Sequence, residues 1–275
     1  MKRFLNYLLM AATICGISLA AASCSSNDDN PVTPDLNISE KIIGKWINAD
    51  KDGQPVLTNK KRVYTFVSAT KAYISTSSTN SPGSLPTLWN DYTEADVVID
   101  GNKVTLTKQS DEHMTAVEEY TVTSINDNEF TANLKMTATI DGNVAYSFES
   151  KVRFVKQTVD YAEPILGLWE CQELTGIETY NDANARLEFF ADGNYNYWRK
   201  NDNNEWEAVT DREFQNYFVD GTLLATRWKN IGEPELREWW EIASLANGEM
   251  QWTALRQNAD GTTAQQGMKW VKVIR

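Results

Sequence analysis

The sequence is poor in the residue types on which most catalytic and metal sites depend. It contains one histidine, His113, in the polar stretch QSDEHM, and three cysteines, Cys15, Cys24 and Cys171. A single histidine makes a poor zinc site, and it stands in no recognisable Ser-His-Asp motif. No glycine-rich phosphate loop is present either. We therefore expect a protein without a catalytic site, a metal site or a cofactor.

Basic residues are scarce as well. The chain has 26 Lys and Arg against 38 Asp and Glu, for a formal net charge of −12. The first 23 residues hold Lys2 and Arg3 but no acid, so residues 24–275 carry −14. Such a surface stays soluble and repels phosphate backbones. Nucleic acid is therefore not an expected partner.

The one long apolar run stands at the N-terminus. Lys2 and Arg3 precede an uncharged, mostly apolar stretch over residues 5–22, which is the layout of a secretory signal. The small residues AAAS then precede Cys24. This arrangement resembles the bacterial lipobox, in which the cysteine thiol accepts diacylglycerol and becomes the mature N-terminus, with Ala21 in place of the usual leucine. A soluble signal peptide and an uncleaved anchor helix are the alternatives, because about 18 residues just span a bilayer.

The lipobox resemblance implies a lipid anchor. Residues 1–23 would be the signal peptide, and residues 24–37, which carry two prolines and few large apolar groups, a tether. Two or three acyl chains hold a protein on a membrane where one chain would dissociate. The acidic SSNDDN after Cys24 resembles the surface-export signal of Bacteroidetes-type lipoproteins, although an ordinary solvated tether would look the same. We expect an outer-membrane lipoprotein that is displayed on the cell surface.

The body of the chain repeats itself at an offset of 116–123 residues. Five segments recur in the same order: KIIGKWIN (41–48) with PILGLWEC (164–171), RVYTF (62–66) with ARLEF (185–189), VVIDGNKVTL (97–106) with YFVDGTLLAT (217–226), EYTVTSINDNEF (119–130) with WWEIASLANGEM (239–250), and RFVK (153–156) with KWVK (269–272). Five matches at nearly one offset are hard to obtain by chance. The repeat predicts two domains, residues 38–158 and 159–275, each long enough for its own core.

Within each copy the hydrophobic period is two. Val104 and Leu106, for example, alternate with Lys103 and Thr105. Turn dipeptides fall between such runs, at Asp100-Gly101, Asp141-Gly142, Asp192-Gly193, Asp220-Gly221 and Asn247-Gly248. Helical periodicity is confined to a short turn near 38–43. About eight strands per copy, joined mostly by hairpins, predict an all-β protein of two tandem antiparallel up-and-down barrels.

Each copy opens on a G-x-W triplet. Gly44-Lys45-Trp46 resembles the signature of lipocalins, in which the tryptophan closes the barrel floor under a basic residue of the last strand. The resemblance implies that Arg153 fills this basic position in the first copy. In the second copy the resemblance implies that Gly167-Leu168-Trp169 is the triplet and that Lys269 fills the basic position. It covers roughly residues 40–275 and is closest to bacterial lipocalin-like lipoproteins.

Tryptophan is distributed unevenly between the copies. The first copy has Trp46 and Trp89, whereas the second has eight. Alternation places four of these eight on the inward, apolar set: Trp228, Trp240, Trp252 and Trp270. They predict an aromatic-lined cavity for a flat apolar ligand or a sugar, but an eight-stranded barrel is only just wide enough for its own side chains, so plain packing is the alternative. Three others, Trp198, Trp206 and Trp239, are expected outside or on loops, where exposed aromatics fit carbohydrate or protein contact.

Three functional hypotheses follow. The leading one is a membrane-anchored, non-enzymatic binding lipoprotein that captures a small apolar molecule or a glycan through a lipocalin-like domain. The alternative is an envelope or surface interaction protein whose filled barrels bind a protein partner. An esterase or glycosidase is weakest, because no spacing of carboxylates singles out a catalytic pair. Cys171 is expected to be a buried, inert thiol rather than a nucleophile.

The anchor can be tested directly. Cys24→Ala should abolish incorporation of labelled fatty acid and prevent cleavage by signal peptidase II, because no thiol remains at the lipobox position to accept the lipid. Cys171→Ala is the matched control and should keep both the label and the processing. Undiminished labelling of the Cys24→Ala chain would contradict the assignment.

Overall fold

A computed structural model describes residues 36–75, 92–109, 113–177 and 185–274. The predicted leader, Cys24, nearly all of the predicted tether and Trp89 lie outside these residues. Residues 35–275 form one compact unit, within which both predicted domains fall. In the part of the chain so described, no helix has the length and apolar character needed to cross a bilayer.

The described chain is almost entirely antiparallel strand, which confirms the predicted fold class. Its helical segments are α1 (Ile38–Lys41), at the predicted short turn, and a 3-10 turn (Thr58–Lys60). The first sheet contains β1 (Gly44–Lys51), β2 (Gln54–Pro55), β3 (Val63–Ser68), β4 (Lys71–Ser75), β5 (Tyr92–Asp100), β6 (Lys103–Gln109), β7 (Met114–Ile125), β8 (Glu129–Ile140) and β9 (Asn143–Gln157). The second contains β10 (Gly167–Thr175), β11 (Ala185–Phe189), β12 (Tyr195–Lys200), β13 (Trp206–Ala208), β14 (Arg212–Asp220), β15 (Leu223–Asn230), β16 (Leu236–Ala246), β17 (Glu249–Gln257) and β18 (Thr263–Lys272).

The first sheet closes on itself. Strand β1 pairs with β3 on one side and with β9 on the other, so that Trp46 lies opposite both Tyr64 and Lys156. Strands β3 to β9 follow one another as hairpin neighbours, and β2 is a short addition to the end of β1. The result is the predicted up-and-down barrel of eight strands, which we call the first barrel.

The second sheet curls but does not close along its whole length. Its order runs β13-β12-β11-β10-β18-β17-β16-β15-β14, so β10 and β18 pair as their counterparts β1 and β9 do. Strands β12 and β14, however, meet only at a single bridge between Asn194 and Asn216. In the first barrel the corresponding strands, β4 and β5, form a continuous ladder. The second unit is therefore a curled half-barrel rather than the closed barrel that the sequence predicts.

The hairpin turns lie where the dipeptides predict them. At Asp141-Gly142 both residues have positive φ, 49° and 76°, and at Asn247-Gly248 the values are 54° and 77°. A two-residue turn with positive φ at both positions matches the right-handed twist of the strands it joins. Asp, Asn and Gly tolerate this conformation best, which is why the turns are visible in the sequence.

The two sheets share a buried junction. Ile47 and Val63, on the outer face of the first barrel, pack against Leu223 of the half-barrel. Beside this apolar contact, the Nζ atom of Lys45 lies 2.7 Å from a carboxylate oxygen of Asp160 and 2.6 Å from one of Asp220. Asp220 is 1% exposed, and its burial raises the pKa of its carboxyl group. Lys45 is thus the cation that compensates a carboxylate buried between the sheets.

We expect Lys45→Met to lower the free energy of unfolding at pH 7 by about 3 kcal/mol. Removing one partner of a buried ion pair costs about 3–5 kcal/mol. We expect the low end of this range because Lys45 is itself partly exposed. Without Lys45 the pKa of Asp220 should rise further. A raised folded-state pKa means that the penalty is full above that pKa and is relieved as the pH falls through it.

Urea unfolding of the variant and the parent chain at pH 7 and pH 4.5 measures this difference. The double variant Lys45→Met/Asp220→Asn is the control and should lose less stability at pH 7 than Lys45→Met alone. A penalty that does not depend on pH would show that Asp220 is not the group left uncompensated.

Candidate functional site

Both units close at one end with the same construction. The indole nitrogen of Trp46 donates a hydrogen bond to the carbonyl oxygen of Ile42 at 2.6 Å, and that of Trp169 does the same to Ile165 at 2.6 Å. Both tryptophans are fully buried. The glycine of each triplet has positive φ, +125° at Gly44. The tryptophans of the two G-x-W triplets thus have the same hydrogen bond and the same complete burial in both units.

The basic partners of these tryptophans differ from the expected ones. Lys156 lies 5.0 Å from the centre of the Trp46 ring, and Lys272 lies 5.2 Å from that of Trp169. Arg153 instead pairs with Asp50, and Lys269 with Glu249, at 2.5 and 3.5 Å.

The period of the strands explains the difference. Arg153 and Lys269 each precede a core residue, Phe154 and Trp270, and therefore point to the opposite face. The closing lysines lie two residues beyond those core residues and share their face. A Cβ atom on Gly44 would lie 3.0 Å from the Lys156 Cε atom, so the glycine leaves room for the lysine stem.

The interior of the first barrel holds a compensated pair of charges. Lys108 and Glu118 are 6% and 3% exposed, and their charged atoms lie 2.5 Å apart. The hydroxyl of Tyr120 donates to the other oxygen of Glu118 at 2.7 Å. Burial raises the pKa of Tyr120, which therefore stays protonated. Lys108 and Glu118 thus compensate each other within the protein.

The deep interior of the half-barrel is filled by indoles. The ring centres of Trp252 and Trp270 are 4.7 Å apart, and those of Trp240 and Trp252 are 5.9 Å apart. Phe189 packs against Trp252 from the other side, at 6.2 Å. All three tryptophans are at most 3% exposed. For these predicted ligand contacts the geometry favours the packing alternative.

Trp228, the fourth predicted contact, lies away from this indole stack, at the end of the half-barrel where β14 begins. It is only half-buried, and the guanidinium of Arg212 lies 5.5 Å from its ring centre and 4.9 Å from that of Tyr197. Arg212 donates from Nη1 to the side-chain oxygen of Gln215 at 2.8 Å. It also hydrogen-bonds the hydroxyl of Tyr195.

A second arginine occupies the same end. The guanidinium of Arg256 lies 4.8 Å from the ring centre of Trp240, and its Nε donates to Gln266 at 3.3 Å. The indole nitrogen of Trp240 donates to Glu238 at 3.3 Å. Glu238 acts electrostatically on both Arg256 and Tyr195, which links the two arginine sites. We call this group the mouth cluster: Tyr195, Tyr197, Arg212, Gln215, Trp228, Glu238, Trp240, Arg256 and Gln266.

The internal repeat shows what is particular to the mouth cluster. Glu238 and Trp240 correspond to Glu118 and Tyr120, and in both units the aromatic side chain donates to the glutamate two residues before it. The position of Lys108, however, is taken by Trp228, so the first-barrel ion pair is absent from the half-barrel. The mouth cluster therefore has two arginines and one glutamate, and no lysine lies against that glutamate as Lys108 lies against Glu118.

Other residues singled out by sequence lie apart from this cluster. Trp239 was expected to be exposed, but it is 6% exposed and packs with Phe218 and Ala225. Trp198 and Trp206 are half-buried. His113 is exposed, 2.7 Å from Asp141.

Cys171 is buried, and burial raises the pKa of its thiol to about 11. The thiol therefore stays protonated at neutral pH.

The sequence alone did not single out Arg212 and Arg256, or Gln215 and Gln266, which accept hydrogen bonds from them. The signal was present in part, since Arg256 shares the period-two face of Trp252 and Ala254. Arg212 lies on the N-terminal side of a register shift between Arg212 and Phe214, and this shift disturbs the alternation. No protein-family model matches the chain, and no curated protein is detectably similar to it.

The filled core generates a stability prediction. Trp252→Ala should lower the free energy of unfolding by about 3–5 kcal/mol, because it removes the central ring of the stack and leaves a cavity. Trp206→Ala removes an equal volume from a half-buried position and should cost less than about 1 kcal/mol. Denaturant unfolding followed by circular dichroism checks both. Equal small losses would mean that the indole stack is not tightly packed.

Proposed function

We propose that this chain is a membrane-anchored, non-enzymatic binding lipoprotein that captures a glycan at the mouth cluster of the half-barrel. The observation that carries the proposal is the mouth cluster itself, where half-buried aromatic rings stand beside polar groups at the end of the half-barrel where β14 begins. The repeated G-x-W closures support kinship with bacterial lipocalin-like lipoproteins. Acyl chains on Cys24 would hold the protein at the outer membrane, facing outward.

Carbohydrates suit this chemistry. A sugar ring presents an apolar C–H face, which packs on an aromatic ring, and hydroxyl groups, which need donors and acceptors. Trp228 and Tyr197 supply ring faces at the mouth. Gln215, Gln266 and Glu238 supply hydrogen-bonding groups beside them.

A flat apolar molecule fits less well. The deep interior, where an apolar ligand would be sheltered, is occupied by Trp252 and Trp270. At the mouth such a ligand would cover two guanidinium groups without giving them acceptors. Covering polar groups without hydrogen bonds costs free energy, so the mouth discriminates against apolar ligands.

Binding to an array of neutral and acidic oligosaccharides tests the proposal. The parent chain should retain at least one glycan, and Trp228→Ala should lose it, because that substitution removes the accessible indole. Trp206→Ala, a tryptophan of β13 outside the mouth cluster, should keep the binding. Intrinsic tryptophan fluorescence should change with the glycan that the array identifies. A chain that retains no glycan would remove the proposal.

One observation favours the alternative, a surface that binds a protein partner. The β8–β9 hairpin of the first barrel exposes a run of large apolar side chains: Ile140 at 48%, Val144 at 65%, Tyr146 at 52% and Phe148 at 39%. Exposed apolar patches of this kind mark interaction surfaces. A photo-crosslinking residue at position 146 in intact cells would then capture one envelope protein, and the glycan array would stay blank.

A further inference from the structure

The arginines of the mouth cluster lack the carboxylate contacts that three other arginines of the described chain have. Arg153, Arg186 and Arg237 each lie within 3.2 Å of a carboxylate oxygen. Within the described ranges, no carboxylate oxygen comes within 4.0 Å of Arg212 or Arg256. Two arginines without a carboxylate contact thus lie at one end of one sheet in an acidic chain.

Arg256 is held in place without being neutralised. Its Nε is bonded to the neutral amide of Gln266, and its guanidinium lies against Trp240. Burial lowers its pKa, and Glu238 opposes this only at a distance. Its two Nη groups have no acceptor among the described residues, yet they are not sealed from solvent. The protein therefore orients the guanidinium of Arg256, while its two Nη groups keep their hydrogen-bonding capacity.

Arg212 repeats the same construction. A neutral amide, Gln215, accepts its Nη1 hydrogen bond, and two aromatic rings flank it. Its Nε is buried without an acceptor in the described structure. An unpaired buried donor costs roughly 1–3 kcal/mol. Two arginines that are each positioned by an amide and a ring, rather than by a carboxylate, leave net positive charge at the mouth.

We infer that the mouth cluster recognises the carboxylate of an acidic sugar, with Arg256 as its principal partner. This inference rests on the proposed glycan-binding function and names the class of glycan. A guanidinium fork matches a planar carboxylate with two parallel N–H···O bonds, which are stronger than bonds between neutral groups. Trp228 would take the ring face of the same sugar, and Glu238 would accept from a hydroxyl group.

The test compares acidic sugars with their own methyl esters. Trigalacturonate, the glucuronate-containing hyaluronan tetrasaccharide and sialyllactose are titrated calorimetrically into the full-length chain in detergent, each beside its ester. The ester keeps the ring and the hydroxyl groups but removes the charge. At least one acid should bind about tenfold or more tightly than its ester, as expected for a charge-assisted hydrogen bond.

Three substitutions locate the effect. Arg256→Met should abolish the preference for the acid, and it should fold, because Met136 occupies the corresponding position in the first barrel. Arg256→Lys keeps the charge but loses the forked guanidinium, so it should retain only part of the preference for the acid. It serves as the second variant if Arg256→Met is unstable. Lys269→Gln removes one positive charge outside the mouth cluster and should leave the preference unchanged.

The outcomes separate the inference from the function on which it rests. Acids that bind no more tightly than their esters, or an unchanged preference in both Arg256 variants, would overturn carboxylate recognition while glycan capture stands. A sulfated sugar that displaces every carboxylate would also overturn it. A chain that binds neither the acids, nor the esters, nor any glycan of the array would instead remove the proposed function.

Discussion

The narrow interior of an eight-stranded barrel constrains every inward-facing side chain of this protein. Such an interior is only just wide enough for the side chains of its own strands. An inward position must therefore be apolar and well packed, or its charge must be compensated. In the first barrel both conditions hold: Phe130 and Phe154 stack at 4.5 Å near Trp46, and Lys108 neutralises Glu118 above them. The two charges of this buried pair are thus compensated by each other.

The half-barrel meets the same constraint differently. Its floor is filled by Trp252 and Trp270, which take more space than Ala132 and Phe154 at the corresponding positions of the first barrel. On β12, Tyr195 and Tyr197 stand where β4 has Ala72 and Ile74. Larger inward side chains spread neighbouring strands, which agrees with the single bridge between β12 and β14. The aromatic residues that suggested a cavity thus fill the floor of the half-barrel, and they accompany the interrupted pairing between β12 and β14.

The junction between the sheets gives the two units different roles in stability. Leu223 is fully buried against Ile47 and Val63, and Lys45 compensates Asp220 beside them. Further polar links reach across at the 3-10 turn, where the Thr58 hydroxyl accepts from the backbone of Leu255, and at Lys61, which pairs with Glu241. The closed first barrel thereby supports the outer wall of a half-barrel whose β12 and β14 strands pair only at one bridge.

The sequence by itself determined the strands, the hairpin turns, the duplication and most of the inward set. These features are local: a period of two follows from the pleat, and Asp-Gly or Asn-Gly turns follow from positive φ. Alternation also places Arg153 on the outer face of the first barrel. Only the resemblance to lipocalins implied that Arg153 covers Trp46. Tertiary structure alone decided that Lys156 and Lys272 cover the two tryptophans and that Trp239 is buried. It also decided that no carboxylate of the described residues lies within 4.0 Å of Arg212 or Arg256. Ion pairing depends on distances between strands far apart in the chain, and no periodicity along one strand specifies them.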